Sequence, residues 1–225
     1  DEYLEKNQKA WVLDSCAGCG SFLEAFKEYN IIGRDFDKEA VEILKELGYQ
    51  NIAVDNSLVN SNRDKYQIKV ADKLVIVGNP PYNDVSSKNK RFGTDRKINQ
   101  EIAIDEELKS KDYGMAFLKH YASLSPQVIV VLHPLSYLIK EPNFKKLGSF
   151  RENYRLESGV IFSSSEFGDA IKGHKTQFPI VCAKYVRDEM NFDFIKSFQF
   201  DIFNEKTKFS IQKIYTIDDY GIRKY

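Results

Sequence analysis

Leu74-Val75-Ile76-Val77-Gly78-Asn79-Pro80-Pro81-Tyr82 is the stretch on which the fold reading turns. Its first residues are uniformly apolar, the mark of a strand buried on both faces. Two prolines then remove two backbone donors and fix two φ angles, so the strand opens into a stiff corner. Asn79 offers an amide oxygen, Asn79 and Pro80 offer outward carbonyls, and Tyr82 offers a flat π surface. That set suits gripping a planar, amine-bearing group between hydrogen-bond acceptors and a stacking ring.

Working outward from this strand, apolar runs and helical periodicities alternate. Ala10 to Leu13 reads as a strand ending at Asp14, and Phe22, Leu23, Ala25, Phe26 and Tyr29 fall at helical spacing. Ile31 to Phe36 reads as a second strand. Asp37 then caps a helix with an inner face of Ala40, Val41, Ile43, Leu44 and Leu47, closed by Gly48. Asn51 to Val54 is a third strand, ending at Asp55. Beyond the Asn-Pro-Pro-Tyr corner, Tyr113, Phe117, Tyr121 and Leu124 mark a helix, and Val128 to Leu132 is a buried strand. Ser158 to Phe162 and Phe178 to Tyr185 complete a set of seven strands. Repeated βα units with acids or amides at strand ends predict a Rossmann-like α/β fold. Its sheet is mostly parallel and seven-stranded, with helices on both faces and ligands at the carboxyl edge. The catalytic domain is expected over 1–185. Residues 186–225, with Phe192, Phe194, Phe198, Phe200 and Phe203, read as an extension of further strands or a docking surface.

Composition excludes several classes. Hydrophobic residues make up 42% and charged residues 29%, ordinary for a globular chain and not for a disordered one. No apolar run is long enough to cross a bilayer. Cys16, Cys19 and Cys182 form no disulfide framework, which fits a reducing, cytoplasmic setting. Cys16 and Cys19 have zinc-like spacing, but no second pair accompanies them and the three histidines are scattered, so no metal is expected. The start at Asp1 fits an excerpt of a longer protein.

The loop Asp14-Ser15-Cys16-Ala17-Gly18-Cys19-Gly20-Ser21-Phe22 brings a backbone close to a ligand above the sheet at Ala17, Gly18 and Gly20. A dinucleotide fingerprint requires a third glycine where Leu23 stands, and no phosphate-loop lysine follows. Asp14 would repel a pyrophosphate and attract an ammonium. Asp35 can take ribose hydroxyls, Phe36 can lie against a purine, and Asp55, with Asn56 beside it, can accept from an adenine amine. Three acids at successive strand ends describe S-adenosylmethionine better than NAD.

These residues resemble the N6-adenine DNA methyltransferases. Asp14 to Phe22 is similar to their Asp-Pro-x-x-Gly-x-Gly-x-Phe cofactor motif, departing at Ser15 and Cys16, and Asn79 to Tyr82 matches their catalytic Asn-Pro-Pro-Tyr without change. The resemblance spans roughly residues 10–185. Cofactor motif before catalytic motif is the gamma-class order, in which target recognition lies C-terminal. It implies a site-specific enzyme of a restriction-modification system, with Asn79 also touching the cofactor. Residues 186–225 are short for a recognition domain. A missing domain, a specificity subunit or the target's shape is therefore expected to supply specificity.

The resemblance implies that the Asn79 side chain and the Pro80 carbonyl accept the N–H groups of a flipped adenine. They localise its lone pair and stabilise the positive charge that develops on nitrogen. Pro81 stiffens the corner and Tyr82 stacks on the base, with Phe167 favoured as a second wall and Phe162 or Phe178 as alternatives. Lys88, Lys90, Arg91, Arg96 and Lys97 follow the corner and suit the phosphates of double-stranded DNA. A second basic run holds Lys140, Lys145, Lys146, Arg151 and Arg155. Net charge is nonetheless zero. The same tetrapeptide serves methylation of RNA adenine or of a protein glutamine, and a catalytically silent binding subunit is a further reading.

Overall fold

The computed structural model describes residues 2–82, 102–110, 112–171, 178–206 and 208–211. It divides into two compact units, Asp1–Leu132 and His133–Tyr225. The first carries α1 (Glu2–Glu5), β1 (Trp11–Asp14), α2 (Ser21–Ala25), β2 (Asn30–Asp35), α3 (Lys38–Glu46), β3 (Ile52–Val54), β4 (Leu74–Gly78) and α4 (Tyr113–Ser123). It also carries most of β5 (Val128–Pro134). β1 pairs in parallel with β2 on one side and β4 on the other; β3 extends β2, and the start of β5 extends β4, all parallel. After β3 the chain thus crosses back to the far side of β1. In open α/β sheets such a reversal marks the ligand-binding edge, here the carboxyl ends of β1 and β4.

Side-chain alternation explains the layering. Val12, Val75, Val77 and Val128 form one buried cluster with Leu4, and Phe22 and Phe26 pack against it, so α1 and α2 cover that face. Gly78, two residues on from Ile76, faces the opposite way, toward Tyr121 of α4. Helices therefore lie on both faces, as the βα pattern predicts. Every residue of β4 is buried, in keeping with its apolar run.

Two local expectations change. The helical spacing from Phe22 to Tyr29 yields only the short α2, because Phe26 leaves helical geometry at φ −119°. Phe26 and Tyr29 still pack on the same cluster, with ring centroids 6.3 Å apart. Asp37 does cap α3, accepting from the N–H groups of Glu39 and Ala40, and Gly48 follows at φ +94°. However, only Val41 and Leu44 of the expected inner face are buried; Ile43 and Leu47 are exposed. α3 packs one narrow stripe against Leu23 and Ile52, too narrow to cover five positions.

The second unit contains α5 (Ser136–Ile139), α6 (Glu141–Lys146), α7 (Ser149–Asn153), β6 (Tyr154–Ser163), β7 (Pro179–Arg187), α8 (Phe192–Ser197), β8 (Phe200–Ile202) and β9 (Lys208–Phe209). β6 and β7 are antiparallel with an irregularity between Leu156 and Ser158; β8 runs parallel to β6 and antiparallel to β9. Among the described residues there are nine strands, not the seven expected from sequence. The extra two come from the C-terminal stretch, where Phe200 is buried and approaches Gly159 so closely that a Cβ there would lie 2.9 Å from its ring. Further strands were one of the two readings of that stretch, and β8 and β9 lie within it.

The stripe on α3 yields a direct comparison. Leu44→Ala should destabilise the protein by about 2–5 kcal/mol in urea denaturation. Leu47→Ala, at 68% exposure, should stay within about 0.5 kcal/mol. Equal losses would contradict the packing described.

Candidate active site

Gly18 and Gly20 both adopt left-handed backbone, at φ +49° and +80°. Gly20 has no room for a side chain, since Leu44 fills the place a Cβ would take, whereas nothing lies within 4 Å of a Cβ at Gly18. The loop is thus pressed onto α3 at one glycine and open above the other. The Gly18 N–H donates to Asp35 Oδ2 at 2.7 Å, and the Asp37 N–H donates to Asp35 Oδ1 at 2.8 Å. Each carboxylate oxygen retains accepting capacity for a ligand hydroxyl. Phe36, 51% exposed, follows directly and presents a ring beside that carboxylate. Open backbone, an oriented acid and an exposed ring together fit a nucleoside.

The next strand ends are tied to these. The Asp55 N–H donates to the Asp35 carbonyl at 2.8 Å, and Ser57 Oγ donates to the Ser15 carbonyl at 2.9 Å. Asp55 carries an ion pair to Lys65 at 3.0 Å, and the Lys65 ammonium also donates to the carbonyls of Asn56 and Val59, both at 2.6 Å. The oxygen that meets Lys65 is Asp55 Oδ2, which is buried. The Asn56 amide is used structurally: its Nδ2 donates to the Ala103 carbonyl, and its oxygen accepts from the Leu58 N–H. An open depression of about 430 Å³, lined by Asp55, Asn56, Val59, Asn60, Asn62 and Lys65, lies at this end.

Asn79 is exposed at the end of β4, with Pro80 buried behind it and Pro81 and Tyr82 partly exposed. The Tyr82 hydroxyl donates to Asn79 Oδ1, so the aromatic ring and the amide are fixed relative to one another. Asp14, at the neighbouring strand end, is only 1% exposed. Its Oδ1 accepts the Cys16 N–H at 3.1 Å, turning the carboxylate beneath the loop. Burial pushes Asp14 up to about 7, opposed by the Cys16 hydrogen bonds and aided by the Asp35 charge. Burial likewise raises the Cys16 thiol well above its ordinary range, against a lowering hydrogen bond from the Asn79 backbone. Cys16 Sγ and Asp14 Oδ1 lie 3.5 and 3.4 Å from the place a Cβ on Gly78 would take, so the glycine loop and the strand end before Asn79 lie side by side.

Sequence reading overlooked Lys65 and Tyr121. Lys65 has no periodicity or motif to mark it, and Tyr121 reads as an ordinary inward residue of α4. Phe167 belongs to the second unit, where it packs against Phe162 with ring centroids 5.8 Å apart. Lys88, Lys90, Arg91, Arg96 and Lys97 lie outside the described residues. In the second basic run, Lys145, Arg151 and Arg155 pair with Glu141, Glu152 and Asp188, which weakens that run as a polyanion site.

No protein-family model and no curated protein matches the chain. Solved structures do. A DNA-bound ATP-dependent Type ISP restriction-modification enzyme, LlaBIII, superposes with TM-score 0.53 at 15% identity over 85% of this chain. A provisionally assigned class I S-adenosylmethionine-dependent methyltransferase from Listeria monocytogenes gives 0.50 at 13% identity over 83%. An assigned, unproven RNA methyltransferase from Pyrococcus horikoshii gives 0.47 at 16% identity, covering 82% of this chain and 78% of its own. The chain spans 18% of the first and 56% of the second. The fold is that of the class I methyltransferases. Among the described residues, no helix is long and apolar enough to cross a membrane.

Asp14 gives a pH signature. Its pKa is higher folded than unfolded, so its contribution to stability is full below about pH 4 and is lost as pH rises toward 7. The loss totals about 4 kcal/mol. His120 and His133, held neutral by burial down to about 3 and about 4, act oppositely, costing stability as pH falls below about 6.5. The difference between Asp14→Asn and the wild type isolates the carboxyl. In urea denaturation, the variant should gain on the wild type progressively between pH 4 and 7. A flat difference would contradict the burial of an ionisable Asp14.

Proposed function

We propose that this chain is the catalytic part of an S-adenosylmethionine-dependent methyltransferase acting on the N6 amine of adenine in DNA, site-specifically and within a restriction-modification system. The observation that supports this most is the adjacency of two strand ends: the glycine loop leaves β1, and the Asn-Pro-Pro-Tyr corner leaves β4 beside it. A restriction-modification enzyme bound to DNA among the structures sharing the fold adds support.

In this reading Ala17, Gly18 and Gly20 give the cofactor close backbone approach. Asp35 holds the ribose hydroxyls, Phe36 lies on the adenine ring, and Asp55, steadied by Lys65, accepts from the cofactor's exocyclic amine. S-adenosylmethionine, when bound, supplies a methyl carbon activated by a sulfonium that leaves as a neutral thioether. The chain's own contribution is to the nucleophile. Asn79 Oδ1 and the Pro80 carbonyl accept the two N–H bonds of the target amine, drawing the nitrogen toward tetrahedral geometry and localising its lone pair. As positive charge grows on that nitrogen, the same oxygens stabilise it, and the surplus proton passes to solvent. No strong base is needed, consistent with the lack of a histidine in the tetrapeptide. Tyr82, oriented by its bond to Asn79, stacks on the extrahelical base for about 1–3 kcal/mol. Lys88, Lys90, Arg91, Arg96 and Lys97 meet the phosphates.

Asn79→Ala tests the assignment. Transfer of labelled methyl to adenine in duplex DNA should fall by about 100-fold or more, with cofactor affinity nearly unchanged. Loss of both would point to misfolding instead, and undiminished transfer would remove Asn79 from the chemistry. Labelling of structured RNA or of a glutamine-bearing protein in place of duplex DNA would overturn the substrate, and cofactor binding without turnover would mark a silent subunit.

A further inference from the structure

Three polar atoms from different elements converge on the backbone just before the catalytic asparagine. A Cβ placed on Gly78 would lie 3.0 Å from the Tyr121 hydroxyl, 3.4 Å from Asp14 Oδ1 and 3.5 Å from Cys16 Sγ. The Cys16 sulfur and the Tyr121 hydroxyl are 3.7 Å apart. Tyr121 is fully buried, on the face where Leu13 and Ile76 are also buried. At such a depth a phenol hydroxyl is destabilising unless it is satisfied, and a phenylalanine would serve a plain core. Gly78 is what permits the convergence, since any side chain there would push the Tyr121 hydroxyl off the strand end.

The sulfur has a second neighbour. It lies 3.5 Å from the place a Cβ on Gly78 would take, one residue before Asn79, so one atom of the loop lies beside both α4 and the start of the corner. Cys16 Sγ is thus a three-way junction linking the loop after β1, the end of β4 and the inner face of α4. Asp14 closes the junction from below, its Oδ1 holding the Cys16 N–H.

We infer that Tyr121 and Cys16 are positioning residues that hold the Asn79 backbone against the glycine loop, keeping the acceptors for the target amine in register with the bound cofactor. The inference rests on the methyltransferase reading above. It makes the corner responsive to what the loop holds, because a shift of the loop moves Cys16 and hence the Asn79 amide. Neither residue contacts substrate in this account.

The test follows the Asn79 amide by nitrogen-15 NMR and hydrogen exchange in the whole chain, with S-adenosylmethionine alone as the probe. In the wild type, adding the cofactor should shift the Asn79 amide resonance. Tyr121→Phe, which removes only an oxygen, should still bind the cofactor within about threefold. Its Asn79 amide should exchange about tenfold faster and lose the cofactor-induced shift. Cys16→Ser, which keeps a hydrogen-bonding atom, should retain more of that shift than Cys16→Ala, a contrast that remains readable should the tyrosine variant fold poorly. An Asn79 amide with unchanged exchange and response in Tyr121→Phe, or serine and alanine variants that behave alike, would overturn the inference while leaving the function intact. Failure of the wild type to bind S-adenosylmethionine would instead overturn the function and this inference with it.

Discussion

The parallel pairing of β1 with β4 is the constraint on which the rest depends. Trp11, Val12 and Leu13 lie opposite Leu74, Val75 and Ile76, so both strands reach the same edge of the sheet together. Apart from half-buried Trp11, the apolar side chains of both strands are buried on the two faces, which makes the register costly to change: a slip of one residue would exchange the two faces of each strand. The chain arrives at β4 only after running through β2 and β3 on the other side of β1, and such a reversal marks the ligand-binding edge of an open α/β sheet. The glycine loop and the Asn-Pro-Pro-Tyr corner are thereby neighbours in space, although far apart in sequence.

Polar groups along this edge are arranged so that few remain uncommitted. The Gly18 and Asp37 N–H groups orient Asp35, Lys65 neutralises Asp55, and the Cys16 N–H satisfies Asp14. Backbone bonds from Ala17 to Arg34 and from Asp55 to Asp35 lock successive strand ends to one another. Burial raises the Asp14 pKa to about 7 despite the Cys16 hydrogen bonds, with a smaller push from the Asp35 charge. Rigid acceptors held this way lose little freedom when a ligand arrives, which favours binding at the edge over binding elsewhere on the sheet.

Much of this was legible in the residues themselves. Apolar runs at 10–13, 31–36, 51–54, 74–77 and 128–132 announced the parallel strands, because a strand buried on both faces tolerates little else. The Asp37 cap and the glycine loop were readable because each depends on one residue type at one place. Other features depended on pairing that no local pattern encodes. Asn56 was legible beside Asp55, but the tie from its amide to the Ala103 carbonyl was not, since that contact is set by where a distant segment returns. Lys65 and Tyr121 carry no motif, and their roles come only from what the fold brings beside them. Ile43 and Leu47 were read as inward because periodicity gives the apolar stripe but not how much of it a neighbour covers. β8 and β9 fall within the stretch read as further strands or a docking surface, and are too short for alternation to decide between the two.

A structure of the chain bound to S-adenosylhomocysteine tests the central claim most directly. The account requires the ribose hydroxyls on the Asp35 carboxylate, the purine against Phe36, and the sulfur turned toward Asn79 at the carboxyl ends of β1 and β4. A ligand held elsewhere, or bound at that edge with its sulfur turned away from Asn79, would contradict it.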